Sequence, residues 1–594
     1  MNRKLPASIF VGAVLVTLTS VVCTDNTTTV AMPSTVNAEA CEIVELSATI
    51  TNTPQSLQWR VVGYPLLYLD PLGGNKVRFR APAVARETKF KVELTDTGSG
   101  DMGSSGTTEV IVSPAAKSAN LAEGMVLDCA PFVYGVASGD PSSESVQLWT
   151  ALDPADRSTS LQVRWEIATD PHMKDILQRG ASSLDSTTGF TASFKVDNLK
   201  ANTTYYYRFF AGAEQSTLGR TKTAPIGDAE KIKLAVASCS SIFSGYFNAY
   251  RRIAERDDID LLIHLGDYIY DFVDEDEEIR IPTPYPQEPK GLEQWRERHR
   301  YYLADPDLRL ARAKHPWFVI WDNHDTGNNP ATDNDGTIQA FQEWVPMNIT
   351  DPDHPEIAYR TLSYGNLLDV IMLDVTLHRE VTTVAGTAIK SIMGQTQKTW
   401  LSHTLSQSKS TWRILGSQKP VATIPVPEIA QIFFGRDVFD TNTWDGYPAE
   451  RSQIIGELQE MGLNNNIFLS GDSHISIAMD MVDNPTSPHS PYDPATSIDS
   501  VGVELLPSSI SRGNLDERIQ LDEDEFIAIA QAFMEAATHQ VFVDFTRHGY
   551  GLVEITPDKL VAELWYSDIL KPSDTEELGV SLTCLKDKNQ WERE

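Results

Sequence analysis

From about residue 230 onward, short apolar runs each end abruptly in polar, metal-seeking residues, and this pattern narrows the fold more than any other feature of the chain. "LAVAS" runs into Cys239, "LLIHLG" into Asp267 and Tyr270, "FVIW" into Asp322, Asn323 and His324, "WRILGS" into Gln418, and "NIFLSG" into Asp472 and His474. Helical stretches separate them: "FNAYRRIAER", "LEQWRERHRYYLADPDLRLARAK", "QKTWLSHTLSQS" and "PAERSQIIGELQEMG". The last has Pro448 in its first turn, Gly462 at its end, and Ile454, Ile455, Leu458 and Met461 on one stripe. Such alternation predicts an α/β region. In open α/β sheets ligands collect beyond the carboxyl ends of the strands, so residues far apart in sequence meet at one rim.

Upstream the period is two. Over residues 38–118, "SLQWRVV" turns Leu57, Trp59 and Val61 one way, and "KFKVELT" does the same with Phe90, Val92 and Leu94. With the turn-rich "TGSGDMGSSG" between strands, this predicts a small immunoglobulin-like β-sandwich. "SPAAKSANLAEG" has the small and polar content of a linker. The runs "VQLWTAL", "LQVRWEIAT", "FTASFKV" and "TTYYYRFF" predict a second sandwich, of immunoglobulin or fibronectin type, over 129–226. There Tyr205, Tyr206 and Tyr207 read as core and sheet surface. The expected organisation is two all-β sandwiches, an α/β catalytic region over 230–570 and a C-terminal tail over 571–594.

Ahead of these, Arg3 and Lys4 precede an apolar stretch from Leu5 to Val22, and polar Thr24, Asp25 and Asn26 come after it. This pattern predicts a cleaved export signal over 1–25 and a periplasmic or extracellular chain. No stable membrane span is expected after cleavage. In an oxidising compartment two of Cys41, Cys129 and Cys584 are expected to pair, in a connectivity the sequence leaves open. The net charge of −33 argues against specific nucleic-acid recognition or tight binding to anionic lipid, since both need a basic footprint. The run "DEDEE" at 274–278 reads as a solvated acidic loop. Oligomeric state is not legible.

The residue types at the strand ends point to metal. A thiolate, a phenolate, carboxylates and an imidazole at close range repel one another unless a multivalent cation sits among them. Cysteine and tyrosine anions suit ferric iron, whereas Asn and carboxylate oxygens suit a harder divalent neighbour: calcium first, with magnesium or manganese as the alternatives. Asp267 is positioned in sequence to bridge the two. Singly, Cys239 reads as a buried thiol, His474 as a structural histidine and Tyr270 as a core plug; their joint placement carries the metal reading.

These segments also resemble a known family. "GDYIYD" is similar to the G-D-x-x-Y motif of binuclear metallophosphoesterases, "DNHD" to their G-N-H-[DE], and "GDSH" to their closing G-H-x-H. "FVYGVASGDPSSESVQLWTAL", "ASCSSIFSGYFNAY", "LLIHLGDYIYDF", "VIWDNHDTGNN", "IMGQTQKTWL", "WDGYPAERSQII" and "FLSGDSHISIAMDM" succeed one another in the order found in PhoD-like alkaline phosphatases and phosphodiesterases, across about residues 131–570. The resemblance implies a four-layer αββα sandwich for the catalytic region. It implies iron ligands at Cys239, Asp267, Tyr270 and His474, with Asp267 bridging, and divalent-ion ligands at Asn323 and Asp472, with Asp322 and Gln418 as further candidates. His324, backed by Asp325, matches the histidine that contacts phosphate. Two positions depart from related enzymes: "GSQKPVA" offers Gln418 where purple acid phosphatases have V-x-x-H, and Asp472 replaces a histidine in "GDSH". Both trade nitrogen for oxygen and favour a harder second ion than zinc.

The expected reaction is hydrolysis of phosphomonoesters or phosphodiesters by a metal-bound hydroxide, with His324 stabilising charge or protonating the leaving oxygen. The nearest alternative is a phospholipase D-like phosphodiesterase acting on lipid headgroups. From a different class, a surface-binding β-sandwich protein with a degenerate phosphatase domain predicts missing ligands. Trp444, Asp445 and Arg451 in "WDGYPAER" read equally as a pocket border or a helix start.

Overall fold

The computed structural model describes residues 28–593 except 53, 55, 65, 98–103, 116–123, 155–156, 273–279, 281–287, 328–335, 350, 352, 385–386, 425–442, 486, 488 and 519–520. The expected export signal at 1–25 and the acidic run at 274–278 lie outside the described residues.

The period-two runs near the N-terminus form strands. Thr35–Glu39, Ser105–Ser113, Thr88–Asp96 and Leu57–Val62 make one sheet in that order, and Ile43–Ser47, Lys76–Arg80 and Asp70–Gly73 make another. Trp59, Phe90, Val92 and Leu94 from the first share one buried cluster with Leu46, Val77 and Phe79 from the second, while Leu57 and Val61 are only partly covered. A Cys41–Cys129 disulfide ties this region to the next, and Cys584 remains a buried thiol.

The next strands do not close on themselves. Leu161–Ala168 and Thr204–Ala211 lead a five-stranded sheet whose Val163, Trp165, Ile167, Tyr205, Tyr207 and Phe209 pack on Val136, Val146, Leu148 and Val196. The strands carrying these last four residues are Val136–Gly139, Val146–Ala151 and Thr191–Val196, and they extend the main sheet of the catalytic region. The junction is a parallel pairing of Ser138 with Pro316 and of Gly139 with Trp317. Gly139 makes the approach possible, because a Cβ there would lie 1.8 Å from the Pro346 carbonyl oxygen. The segment expected to be a second sandwich over 129–226 therefore shares a sheet with the catalytic region. Alternation reveals which face of a strand is buried but not which strand lies beside it.

That main sheet has ten strands among the described residues. From the junction it continues through Pro316–Ile320, Leu261–Leu265 and Ile232–Ala237, all parallel, to Gly549–Ile555, Lys559–Tyr566, Glu577–Leu585 and Glu592–Arg593. A seven-stranded sheet runs Arg360–Tyr364, Leu368–Met372, Trp412–Ser417, Asn466–Ser470, Ser500–Leu506, Ser476–Val482, Gln540–Asp544. Val236, Ile263 and Val319 of the first share a buried cluster with Val370, Ile414 and Leu469 of the second. On the other side of the second sheet, Leu415, Phe468 and Met479 pack with Leu401, Leu405, Ile454 and Leu458 from the helices Gly394–Gln407 and Pro448–Glu460. Each such side chain, fully buried, contributes roughly 1.5–3 kcal/mol.

Three sequence expectations need correction. The stretch over 577–593 is not a tail: Glu577–Leu585 pairs antiparallel with Lys559–Tyr566, and Leu582, Cys584 and Trp591 are buried. The long helical stretch after residue 291 is two helices, Gly291–Tyr302 and Pro306–Lys314. Pro306 has no amide hydrogen to continue the first helix, and the Asp305 carboxylate starts the second by accepting from the Asp307 and Leu308 amides at 2.9 and 3.0 Å. Met461, expected on the buried stripe, lies just past its helix and is 39% exposed.

Candidate metal centre

The strand register sets the rim. Leu234–Ala237 align with Leu261–His264, and Leu262–Leu265 align with Trp317–Ile320. Cys239, Asp267 and Asp322 therefore leave the same edge of the first sheet. In the second sheet Ser417 aligns with Ser470, so Lys419 and Asp472 leave its corresponding edge. The turns are laced together: the Cys239 amide donates to the Gly266 carbonyl at 3.2 Å, the Ser240 amide to the Asp267 carbonyl at 2.9 Å, and the Gly471 amide to the Gln418 carbonyl at 3.2 Å.

Cys239, Asp267, Asp472 and His474 all adopt left-handed backbone, with φ of 56°, 52°, 68° and 62°. For non-glycine residues this costs about 1–3 kcal/mol each, and such strain gathers where function fixes a side chain. Gly266, at φ +101°, lets the Asp267 turn lie against the Asp322 turn; a Cβ there would sit 2.6 Å from the Asp322 Cβ. Gly266→Ala is therefore expected to lower the thermal midpoint and to cut turnover by about 100-fold through displacement of Asp267 and Asp322. Melting curves and steady-state kinetics on the purified variant check both effects.

Two donor groups result, each with its ligand atoms within 4.8 Å of one another: Cys239, Asp267 and His474, and Asp267, Asp322 and Asp472. Asp267 belongs to both. Its Oδ2 lies 3.8 Å from Cys239 Sγ and accepts from the Tyr270 hydroxyl at 3.0 Å, while its Oδ1 accepts from the His324 amide at 3.3 Å. His474 has Nδ1 on the Gly513 carbonyl at 3.0 Å, which turns Nε2 toward the Tyr270 hydroxyl at 3.2 Å. Arg512 stacks its guanidinium over the Tyr270 ring, 5.1 Å from the centroid. The structure thus brings together Cys239, Asp267, Tyr270 and His474, and beside them Asp322, Asn323 and Asp472.

The protonation balance shows the cost of crowding anions. Burial, then Asp322 and Asp472, push Asp267 up to about 6 against the opposing His324 and Lys419. Burial and Asp267 also raise Cys239 and Tyr270 above their usual ranges. Burial disfavours the charged form of His324, but Asp267, Asp271 and Asp322 outweigh it and push its pKa up to about 9. A multivalent cation would relieve this mutual repulsion, and the donor chemistry fits one: sulfur, phenol, imidazole and carboxylate on one side, oxygens alone on the other.

Several residues stand differently from their sequence reading. Asp325 does not back His324; its carboxylate accepts from the Tyr268, Ile269 and Asp322 amides at 3.2, 2.9 and 2.9 Å and so shapes the turn after Asp267. The partner of His324 is Asp271, with Oδ1 2.5 Å from Nδ1. Gln418 is buried and spends its amide on backbone, donating to the Trp321 carbonyl at 2.9 Å and accepting from the Val375 amide at 3.1 Å. It pins strand ends together instead of facing the donor groups. Asp445 and Arg451 form an ion pair at the start of the helix Pro448–Glu460, beside buried Trp444. His264 is a core histidine, bonded to the Tyr250 hydroxyl at 3.0 Å, and burial holds its pKa down to about 3.

Sequence reasoning missed Asp271 and Lys419. Asp271 stands in the same "GDYIYD" run as Asp267, four residues on, and that spacing is its only signal. Lys419 comes directly after Gln418 and gives none. Its Nζ lies 2.8 Å from Asp322 Oδ2 and 2.9 Å from Asn323 Oδ1, and also contacts Asp472 Oδ1. Burial opposes its charge, but Asp322, Asp472 and Asp267 outweigh that and hold the ammonium above its ordinary range.

Known proteins match along most of the chain. A family model described as PhoD-like phosphatase matches residues 234–564, and one described as PhoD-like phosphatase, N-terminal domain, matches residues 119–225. Alkaline phosphatase D of Bacillus subtilis (strain 168) is 30% identical over 478 residues, which is 73% of this chain and 77% of that protein. A solved structure described as "Structure of PhoD" superposes with a TM-score of 0.68 at 27% identity, covering 81% of this chain and 93% of the other.

Proposed function

The chain belongs to the PhoD-like phosphatase family, and from that premise we propose that it is an exported, metal-dependent phosphoesterase that hydrolyses phosphomonoesters, phosphodiesters or both. Membership supports a phosphatase and a phosphate-ester substrate. The observation that carries the metal reading is the sharing of Asp267 between the group with Cys239 and His474 and the group with Asp322 and Asp472. Cys239, Asp267, Tyr270 and His474 would hold ferric iron, and Asp322, Asn323 and Asp472 a divalent ion, calcium first. Such a pair supplies Lewis acidity toward a water and toward the phosphoryl oxygens.

The chain's own groups supply the rest. Asp271 holds His324 through Nδ1, leaving Nε2 to donate to the leaving oxygen. Positive charge on His324 and on Arg512 favours a phosphoryl group at the rim despite the acidic chain. Because the His324 pKa of about 9 lies above the ordinary 6.5, the stability its protonation adds is full below about pH 6.5 and is lost as pH rises through about 9. Asp271→Asn removes one of the anions that raise it. The alkaline limb of kcat/KM is then expected to move to lower pH, and a pH–rate profile of parent and variant checks the sign.

The catalytic region is proposed to be a four-layer αββα sandwich, supported by the cluster between the two sheets and by the helices packed behind the second. It comes after an N-terminal immunoglobulin-like sandwich, supported by its own cluster, and a second sandwich of immunoglobulin or fibronectin type, supported by the cluster that joins its five-stranded sheet to three strands of the main sheet. Export to the periplasm or the exterior is supported by the apolar Leu5–Val22 stretch behind Arg3 and Lys4 and by the Cys41–Cys129 disulfide. Among the described residues no helix is long and apolar enough to cross a membrane.

A panel of p-nitrophenyl phosphate, bis(p-nitrophenyl) phosphate and phosphatidylcholine vesicles tests the reading. Chelator-sensitive turnover of either nitrophenyl ester supports it. Turnover of the vesicles alone moves the assignment to a phospholipase D-like enzyme, and hydrolysis of none contradicts it.

A further inference from the structure

Lys419 sits where the second cation's charge is needed. Its ammonium has three N–H donors and three oxygen partners: Asp322 Oδ2 at 2.8 Å, Asn323 Oδ1 at 2.9 Å, and Asp472 Oδ1. These three residues are the oxygen donors assigned to the divalent ion. The ion and the ammonium carry like charge and draw on the same three residues, so each weakens the other's hold on them. The lysine backbone is fixed, with its amide donating to Ser417 Oγ at 3.2 Å and its carbonyl accepting from the Ser417 hydroxyl at 2.7 Å. Beyond that backbone the residue is a four-carbon stem with rotatable bonds.

We propose that Lys419 is a built-in competitor for the second cation site: its ammonium holds Asp322, Asn323 and Asp472 when no divalent ion is bound, and must withdraw for the ion to enter. This rests on the two-cation reading above and adds a regulatory property to it. The divalent ion binds weakly and exchangeably, with an affinity set by one side chain. The second site stays preorganised and charge-compensated at low divalent concentration, so the chain needs no ion there to keep its carboxylates together.

Calcium chloride titrated calorimetrically into iron-loaded full-length protein gives the test, independently of turnover. Lys419→Met removes the competitor and is expected to tighten calcium binding about ten-fold or more. It is also expected to give a larger calcium-dependent rise in thermal midpoint than the parent shows. Equal or weaker calcium binding by the variant overturns the proposal. Absence of calcium binding in both proteins, with iron retained, overturns it together with the two-cation reading. On the unmodified chain, acylation of amines and mass spectrometry give a second reading that does not depend on the variant folding. Lys419 is expected to be protected without calcium and labelled with it, and unchanged labelling overturns the exchange.

Discussion

Asp267→Asn is expected to cut turnover by about a thousand-fold or more with the fold intact. Asp267 is the residue common to both donor groups, and the substitution removes its charge while keeping its shape. The amide oxygen can still accept from the His324 backbone at the present 3.3 Å geometry, so the turn survives. In the metal-free protein the sign for stability is opposite. Burial and the neighbouring Asp322 and Asp472 already raise the Asp267 pKa to about 6, so the native state disfavours its charge, and the neutral variant is expected to melt no lower than the parent above pH 6. Kinetics and melting curves on one preparation separate the two effects. Turnover near the parent's would refute the shared role of Asp267.

Removing the metal ions with a chelator is expected to abolish turnover and lower the thermal midpoint, with both restored by iron and a divalent ion together. The pH dependence comes from the groups left behind. Asp267, at about 6, and His324, at about 9, both have folded pKa values above their ordinary ones. Each contribution is full below the ordinary pKa and is lost as pH rises through the folded one. The stripped protein should therefore lose stability progressively between about pH 4 and pH 9, and the stabilisation regained by adding ions should be larger at pH 8 than at pH 5. Melting with and without chelator at those two values measures it. Undiminished turnover in metal-free protein would exclude a metal-dependent site.

How much of this is legible in the sequence depends on the kind of contact. Strand ends announce themselves because an apolar run that stops at Gly266–Asp267 or Gly471–Asp472 has little reason to do so except to deliver a side chain. The gathering of Cys239, Asp267 and Tyr270 comes from parallel register, which the alternation of strands and helices implies, whereas His474 arrives from the second sheet through the packing of one sheet on the other. Side-chain partnerships are not legible. Asp325 is adjacent to His324 and Asp271 is 53 residues away, yet Asp325 is occupied by three backbone amides while Asp271 meets the imidazole. Gln418 reads as a ligand because it comes after a strand, yet two backbone groups absorb its amide. Sheet membership is invisible too. Nothing in the alternation of "VQLWTAL" indicates that its strand joins the main sheet through Gly139, and nothing in the run Glu577–Leu585 indicates that it pairs with Lys559–Tyr566.

Metal content and the visible spectrum of the purified protein, measured together, test most directly whether these anionic side chains converge to hold cations. Iron at about one equivalent, with a coloured band that fades on reduction and is altered by Tyr270→Phe, is the predicted result, since thiolate and phenolate bound to ferric iron absorb visible light. A colourless, iron-free protein with full phosphoesterase activity would contradict it.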